Sequence, residues 1–570
     1  MTLRKMLAIA LTGVLTQPSL MIASGNGQSS NRFDAWPDRP IKHLVVIFGE
    51  NISFDHYFGT YPNALNPKGE PAFHAQPGTP TVNGLSGSLL TNNPNLNAAN
   101  GAGAANPFRL GRAQAWTASQ NHDYMPEQAA INRGAMDLFP ANVGTPDKAA
   151  MKPTGLTATT GLTMGYYDGN TVTAMWNYAQ HFAMSDNSYG TNFGPSTVGA
   201  MNLVAGQTNG VSHFENGTGD ETDGSQGSLT VIGDPDPYLD VCSGTTTNQV
   251  EMKGRNIGNM LSDAGLTWGW FQGGFDLTKM NPNGTTGCNR STVSPVINAV
   301  SPSSATQADY SPHHQPFQYY PSTRNPKHTR PTSVHTIGRD GDAGNHQYDL
   351  QDFYDAVNAG NFPNVSFLKA SRYQDAHPSN SDPLDEQAFI VHVINFLQQR
   401  PEWCETAVVI AYDDSDGWYD HQMGPIVNHS TSAQDALTSP VDPATGVGQC
   451  GTDGPTTAMP GPDGVAHAQG RCGYGPRLPM LVISPWAKKN FVDNTVLDQS
   501  SIIRFIEDYW LNGKRVGDGS FDAVANSIGN MFDFGGDDRH TVFDHKNKCD
   551  VSSFLILDEN TGEVRFSGRR

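Results

Sequence analysis

Two short apolar runs, each followed directly by acidic or amide residues, are the clearest pattern along the chain. Residues 43–48 precede Glu50 and Asn51, and residues 407–412 precede Asp413 and Asp414. Runs of this kind, rich in β-branched residues, are typical of buried strands in a parallel sheet. Ligand sites in open α/β sheets lie beyond the carboxyl ends of the strands. The pattern therefore predicts that three carboxylates and one amide meet at one edge of a sheet.

Other apolar segments complete an alternating order of strands and helices. Apolar runs predict strands at 364–369 and 478–484, and helical spacing predicts helices at 172–182, from about Ser196 onward, at 382–397 and at 500–510. Asp382 followed by Pro383 is a strong helix start. Alternation of this kind predicts an α/β fold with a mostly parallel central sheet flanked by helices.

Long polar stretches rich in Gly, Asn and Pro separate these elements. The chain has 60 Gly and 38 Pro in 570 residues, which indicates many long loops. We expect one catalytic domain over residues 41–570, with insertions near 64–120, 215–250, 280–345 and 424–475.

The N-terminus has the features of a transport signal. Arg4 and Lys5 precede a short apolar run at 6–16, and small residues follow at 22–24. The run is too short to cross a bilayer, so residues 1–24 are predicted to be a secretory signal peptide, with a frayed helix as the alternative. Residues 25–40 are expected to be a flexible lead-in. The sequence thus predicts a periplasmic or secreted protein without a stable membrane anchor.

Charge and cysteine content narrow the class of partner. The formal net charge of −20 disfavours nucleic acid and adsorption to anionic lipid. Six cysteines in an exported chain indicate disulfides, and Cys450 with Cys472, at the two ends of a Gly- and Pro-rich loop, is the pair we expect first.

Crowded carboxylates at one sheet edge need compensation. They repel one another unless they are protonated or bound to a cation, and a divalent metal ion is the simplest solution. The four oxygen-bearing side chains favour calcium, magnesium or manganese. The alternative is that the two acidic pairs are unrelated loop caps and solvated turns.

Several motifs in order along the chain resemble the bacterial phosphoesterase family, which includes secreted acid phosphatases and non-haemolytic phospholipases C. The matching segments are GENISFDHYFG at 49–59, NHDYMPEQ at 121–128, GPST at 194–197, PHHQPFQY at 312–319, HP at 377–378, DPLDEQ at 382–387 and YDD at 412–414. Ile52 departs from the family, which commonly has a basic or polar residue there. The resemblance extends from about residue 40 to 545 and implies an alkaline-phosphatase-like fold.

The resemblance also implies roles for individual residues. Glu50, Asn51, Asp413 and Asp414 would hold one divalent metal ion, and the superfamily's frequent use of zinc adds that ion to the candidates. Ser196 would be the nucleophile, activated by the metal and by the helix N-terminus behind it. Thr197 is the competing nucleophile, one position later.

Four histidines would contact the phosphate and the leaving group, because phosphoryl transfer needs positive charge and a proton for the departing oxygen. They are His122, His313, His314 and His377. We expect one member of the His313-His314 doublet to be functional and the other structural. Asp416 is expected to support the metal ligands from behind.

These roles predict a secreted, metal-dependent acid phosphomonoesterase that forms a phosphoserine. Two features favour that branch: the histidine doublet with the residues after it, and a chain that ends soon after the catalytic elements, without the C-terminal β domains usual in the longer phospholipases. The alternative enzyme is a phospholipase C that cleaves phosphatidylcholine-type diesters. An alternative of another class is an exported metal-binding module without catalysis.

Overall fold

Eight strands form the central sheet. The computed structural model describes residues 40–223, 228–451, 458–466, 470–534 and 554–568. In chain order the sheet strands are β1 (His43–Gly49), β2 (Ala183–Ser185), β3 (Trp268–Gln272), β4 (Gln347–Asp349), β5 (Val365–Lys369), β6 (Thr406–Tyr412), β7 (Met480–Ile483) and β8 (Phe491–Asp493). Their order across the sheet is β4-β3-β5-β1-β6-β7-β2-β8.

The sheet is parallel except for one strand. β1 lies between β5 and β6 and runs parallel to both. β7 pairs antiparallel with β6 on one side and with β2 on the other. β1 and β6 are buried along almost their whole length, as expected for continuous apolar runs in the middle of a parallel sheet. The predicted α/β class with a mostly parallel sheet is confirmed.

Six helices of eight or more residues occur in the described part of the chain. They are α1 (Tyr124–Ile131), α2 (Thr173–His181), α3 (Ser196–Ala205), α4 (Leu350–Asn358), α5 (Pro383–Gln398) and α6 (Ser500–Trp510). Shorter helices are Phe54–Phe58, Ser88–Thr91, Phe139–Asn142, Ile257–Asp263 and Pro295–Val300. The predicted start of α5 is confirmed, because the Asp382 carboxylate accepts hydrogen bonds from the backbone N–H groups of Leu384 and Asp385 at 2.9 and 3.1 Å.

The hydrophobic pattern misses four strands of the sheet, which are the five-residue β3 and three shorter strands. β2, β4 and β8 have three residues each, which is too short for a period to show. It also misses a second sheet in the segment read as a polar loop near 215–250. That five-stranded sheet contains Asn209–Glu215, Glu221–Asp223, Leu229–Val231, Asp236–Pro237 and Gln249–Met252. Its first strand is largely exposed beyond its opening residues, so its sequence carries no apolar alternation.

Two-stranded sheets and disulfides hold the peripheral segments. The paired strands are Phe108–Arg109 with Gly165–Tyr166, Ser188–Tyr189 with Leu497–Asp498, Ser291–Val293 with Thr306–Ala308, Ser439–Asp442 with Val447–Gln449, and Phe554–Leu557 with Val564–Gly568. The predicted Cys450–Cys472 disulfide is confirmed, and a second joins Cys242 to Cys288. Cys404 is also disulfide-bonded.

The predicted signal peptide at 1–24 lies outside the described residues, as does all but the last residue of the predicted lead-in at 25–40. Among the helices that the structure describes, none combines the length and the apolar character needed to cross a bilayer. The proposed extent of the catalytic domain stays a prediction.

Candidate active site

The two acidic segments leave the sheet side by side. Gly49 at the end of β1 pairs with Tyr412 at the end of β6, so the residues that follow each strand start from the same edge. The Asn51 backbone N–H donates to Asp413 Oδ1 at 2.8 Å. The Ile52 backbone N–H donates to the carbonyl oxygen of Asp414 at 2.9 Å. The two loops are therefore joined by hydrogen bonds as well as by the sheet.

Asn51 turns sharply at the centre of this junction. Its φ of 61° lies in the left-handed region, where asparagine is more readily tolerated than most residues. Its side-chain Nδ2 donates to Asp416 Oδ1 at 3.2 Å and lies 3.3 Å from His122 Nε2. Asp416 also accepts from the Ser119 hydroxyl at 2.7 Å and the Gln120 N–H at 2.9 Å. The carboxylate of Asp416 thus fixes the orientation of the Asn51 amide from behind.

Ser196 is the first residue of α3 and faces the acidic loops. Gly194, with a φ of +115°, makes the turn that leads into it. Ser196 Oγ lies 3.0 Å from Glu50 Oε2, 3.2 Å from Asp414 Oδ2 and 3.5 Å from Asn51 Oδ1. A hydroxyl has one proton to donate. Only one of the three acceptors can receive it, so the other two face oxygen lone pairs.

The Thr197 hydroxyl has a different environment. It donates to the backbone carbonyl of His313 at 3.5 Å, and the Thr197 backbone N–H donates to Asp234 Oδ1 at 2.9 Å. The contacts described for its side chain include none of the four proposed metal ligands. Of the two candidate nucleophiles, Ser196 is the one whose hydroxyl lies against the acidic loops.

Helix α3 rests on the backbone of the second acidic loop at Gly199. A Cβ at this position would lie 2.1 Å from the Asp413 carbonyl oxygen and 2.7 Å from its carbonyl carbon. Only a residue without a side chain allows this approach. The spacing between Ser196 and Asp413–Asp414 therefore depends on glycine at 199.

Gly199→Ala is expected to destabilise the protein by about 2–3 kcal/mol and to lower turnover, because the added methyl group must push α3 away from Asp413. Thermal and urea unfolding measure the first effect and steady-state kinetics the second. Gly219→Ala is the matched control, since a Cβ there would meet nothing within 4 Å, and it should change stability by less than about 0.5 kcal/mol. Equal stability of the two variants would contradict the close contact.

Glu50 is shared between two groups of side chains. Its Oε2 faces Ser196, whereas its Oε1 forms an ion pair with Lys369 Nζ and lies 3.1 Å from His314 Nδ1. Asp375 Oδ2 is 3.9 Å from the same histidine nitrogen. Burial raises the pKa of Asp375 to about 7, although Lys369 acts in the opposite direction. His314 is thus the member of the doublet whose ring enters the acidic cluster.

The His313 side chain lies beside Asp236 instead and is partly open to solvent. Its Nδ1 lies 3.7 Å from Asp236 Oδ1, and its side chain is about one-quarter exposed. Asp234, which is partly exposed, accepts the hydrogen bond from the Thr197 backbone N–H. In the structure His314 is buried and His313 is partly exposed. That one of them is functional and the other structural stays a prediction.

His122 and His377 lie together on the other side of Asn51. Their ring centroids are 5.9 Å apart in a T-shaped arrangement. Burial would lower the pKa of His122, but Asp414, Asp416 and Asp234 outweigh it and raise that pKa to about 10. Burial, followed by repulsion from His122, lowers the pKa of His377 to about 3. Of the two rings, His122 is therefore the one whose surroundings favour the protonated form.

The acidic groups around Ser196 fit a divalent cation. Asp413 Oδ2 is buried and has no hydrogen-bond partner among the residues that the structure describes. Burial, followed by the neighbouring Glu50 carboxylate, raises the pKa of Asp413 well above its usual range, and burial with Asp413 does the same for Asp414. A hard cation would remove this cost and satisfy the oxygens that the Ser196 proton cannot reach.

The sequence motifs did not indicate that Lys369, Asp375 and Asp234 lie near the site. Lys369 ends the predicted strand at 364–369 and lies next to β1 in the sheet, so its position at the shared edge was a usable signal. Asp375 and Asp234 follow no periodic pattern. They reach the site through loops, which sequence periodicity does not place.

Comparison with known proteins gives a consistent result over most of the chain. The model of the Phosphoesterase family matches residues 41–511. A non-hemolytic phospholipase C of Pseudomonas aeruginosa is 25% identical over 488 residues, which cover 82% of this chain and 54% of that protein. Phospholipase C A of Mycobacterium tuberculosis is 24% identical over 478 residues, which cover 82% of this chain and 72% of that protein.

A non-hemolytic phospholipase C of Burkholderia pseudomallei is also 25% identical over 488 residues, which cover 82% of this chain and 55% of that protein. The chain thus spans about half the length of the Pseudomonas and Burkholderia relatives. Among solved structures, a protein in the alkaline phosphatase superfamily from Vibrio parahaemolyticus is similar with a TM-score of 0.26 and 10% identity. The match covers 62% of this chain and 63% of that one.

Proposed function

Because the chain belongs to the Phosphoesterase family, we propose that it hydrolyses phosphoric esters through a covalent phosphoserine at Ser196. The observation that carries this proposal is the environment of one hydroxyl. Ser196 Oγ lies within 3.5 Å of Glu50, Asn51 and Asp414 at the N-terminus of α3. A serine needs activation to attack phosphorus, and two carboxylate oxygens and one amide oxygen around its hydroxyl are ligands that a divalent cation beside it could use.

The proposed metal ligands are Glu50, Asn51, Asp413 and Asp414. These residues would hold a divalent cation, which would lower the pKa of the hydroxyl and offset the negative charge of the phosphoryl group. Ser196 Oγ releases its proton to solvent and forms a bond to phosphorus, while the bond from phosphorus to the ester oxygen breaks and that oxygen leaves with the electron pair and takes a proton from His122. In the second step water gives a proton to His122 and attacks phosphorus, and the bond to Ser196 Oγ breaks, which releases phosphate, or a phosphomonoester if the substrate was a diester.

Histidines supply the proton and part of the positive charge in this scheme. His122 lies beside Asn51, and the carboxylates of Asp414, Asp416 and Asp234 raise its pKa against the effect of burial, so its protonated form can bind a phosphate oxygen or donate a proton to the leaving oxygen. His377 packs against it. We propose His377, and His313, whose carbonyl oxygen accepts from the Thr197 hydroxyl, as further phosphate contacts. His314, next to Glu50, orients that carboxylate.

Phosphomonoesters are the substrates that we propose first, because a dianion matches the positive charge of His122, the helix N-terminus and the bound cation. Phosphodiesters of the phosphatidylcholine type are the second candidate, and two observations favour them. The curated relatives are phospholipases C. The Thr197 backbone N–H also donates its hydrogen bond to Asp234. The third free oxygen of a phosphomonoester would have to compete with this carboxylate for the N–H, whereas a diester has only two free oxygens.

Export to an oxidising compartment is part of the proposal. The Cys242–Cys288 and Cys450–Cys472 disulfides support it, since such bonds persist outside the reducing cytosol.

The deciding experiment compares two esters on the same purified protein at about pH 5 to 8, where histidine titrates. p-Nitrophenyl phosphate reports phosphomonoesterase activity, and phosphatidylcholine in mixed micelles reports phospholipase C activity through release of phosphocholine. Acid quenching during turnover followed by peptide mass spectrometry should find phosphate on Ser196.

We expect the monoester to give the higher kcat/KM. Preference for phosphatidylcholine would select the second candidate. A protein that binds a metal ion, turns over neither ester and carries no phosphate on Ser196 would instead be a non-catalytic metal-binding module.

A further inference from the structure

The two oxygens of Glu50 face two different cation environments. On one side, Oε2 joins Asn51 Oδ1 and Asp414 Oδ2 around the Ser196 hydroxyl. On the other side, Oε1 faces His314 and Lys369. Glu50 is fully buried, so neither oxygen is neutralised by solvent. Each side needs its own source of positive charge.

The second side has the composition of a metal site. Glu50, His314 and Asp375 each offer one ligand atom, and these atoms lie within 4.8 Å of one another. All three side chains are buried. Asp375 Oδ2 has no hydrogen-bond partner within the described ranges of the chain. Two carboxylates and an imidazole are a donor set that suits zinc and similar transition metals.

The positively charged side chain of Lys369 already lies in the group formed by Glu50, His314 and Asp375. Lys369 is 1% exposed, and its ammonium forms an ion pair with Glu50 Oε1, the oxygen that the second group would offer to a metal. The same ammonium lies 5.1 Å from the centroid of the Phe48 ring, which holds it through a cation–π interaction. A divalent ion on Glu50 Oε1 would have to displace or repel it.

We propose that Lys369 is a built-in cation that closes the Glu50–His314–Asp375 group to metal. The protein then binds one divalent ion, on the Ser196 side, and Lys369 takes the place of a second. Lys369 is a positioning residue in this account, because it acts on Glu50 and not on the substrate. The inference rests on the proposed function only for the first ion; the closure of the second group is a separate property.

The test is the number of metal ions per chain. Protein dialysed to equilibrium against low concentrations of Zn²⁺, and separately Mn²⁺, is analysed by atomic emission. We expect one ion for the wild type and two for Lys369→Met, which has similar length without charge. The double variant K369M/D375N should return to one, because the second group has lost a carboxylate. Lys68→Met, which removes an exposed lysine, controls for the change in net charge and should bind one ion.

Two results would overturn the inference: an unchanged ion count in K369M, or two ions in the wild type. If K369M does not fold, Asp375→Asn in the wild-type background decides. It should keep one ion, and loss of that ion would place the metal in the second group. A wild type with no bound ion would contradict the proposed metal dependence, while a gain of one ion in K369M would still support the closure by Lys369.

Discussion

Replacing Ser196 with alanine is expected to reduce turnover by on the order of 10⁴-fold or more, with little loss of stability. The reason is that the hydroxyl is the only side-chain group of α3 that lies against Glu50 and Asp414 in the described contacts. Its removal takes away the nucleophile and also relieves the crowding of oxygens around it. Steady-state kinetics on the better of the two test esters, together with thermal unfolding, measure both effects.

Thr197→Ala is the matched control for this experiment. Its hydroxyl makes a long contact with the His313 carbonyl, so its loss should cost less than about tenfold, as expected for one weak hydrogen bond. An active S196A with an inactive T197A would move the nucleophile to Thr197. Equal and complete inactivation of both would point to a shared structural effect, which thermal unfolding would reveal.

Removal of the metal ion is expected to abolish turnover and also to lower stability. Four buried ligands would lose the charge that compensates them, and a ligand held at about 100–1,000 times its Kd contributes about 3–4 kcal/mol to folding. Dialysis against EDTA, followed by kinetic assay and thermal unfolding, tests this. Re-addition of calcium, magnesium, manganese or zinc identifies the ion that restores both properties.

Ser196→Ala separates metal binding from chemistry in the same experiment. The variant keeps Glu50, Asn51, Asp413 and Asp414, so a metal ion should still raise its unfolding temperature although it has no activity. Full activity of the wild type after exhaustive chelation would contradict the proposed role of the ion. Loss of activity without any loss of stability would mean that the ion lies outside the buried acidic cluster.

The sequence predicted the parts of the molecule that depend on continuous apolar runs. β1 and β6 are such runs, and the general rule that ligand sites lie beyond the carboxyl ends of parallel strands predicted that the residues after them would share one edge. The structure adds that the two strands are direct neighbours. The start of α5 was predictable because Asp382 and Pro383 act locally. Local helix-capping chemistry and the burial of strands were therefore enough to predict the edge of the sheet at which Glu50 and Asp413 meet.

What the sequence could not give depends on distant segments. Lys369 and Asp375 reach Glu50 only after β5 has paired with β1. The two histidines of the doublet are adjacent in sequence, yet one ring faces Glu50 and the other Asp236. Periodicity cannot separate them, because their difference arises from packing around a short turn. The short strands β2, β4 and β8 were missed for the same reason: their partners, and not their own residues, make them strands.

The two acidic loops start from adjacent strands, and this arrangement affects which parts of the chain can change without moving the proposed active site. Glu50 and Asp413 are far apart in the chain, but their strands are direct neighbours with Gly49 opposite Tyr412. Between them in the chain lie Ser196, the four site histidines and strands β2 to β5, which are connected by peripheral loops. Changes of length in the loops that carry none of these groups should leave the proposed active site in place, so grafting of those loops is a practical way to alter its surroundings.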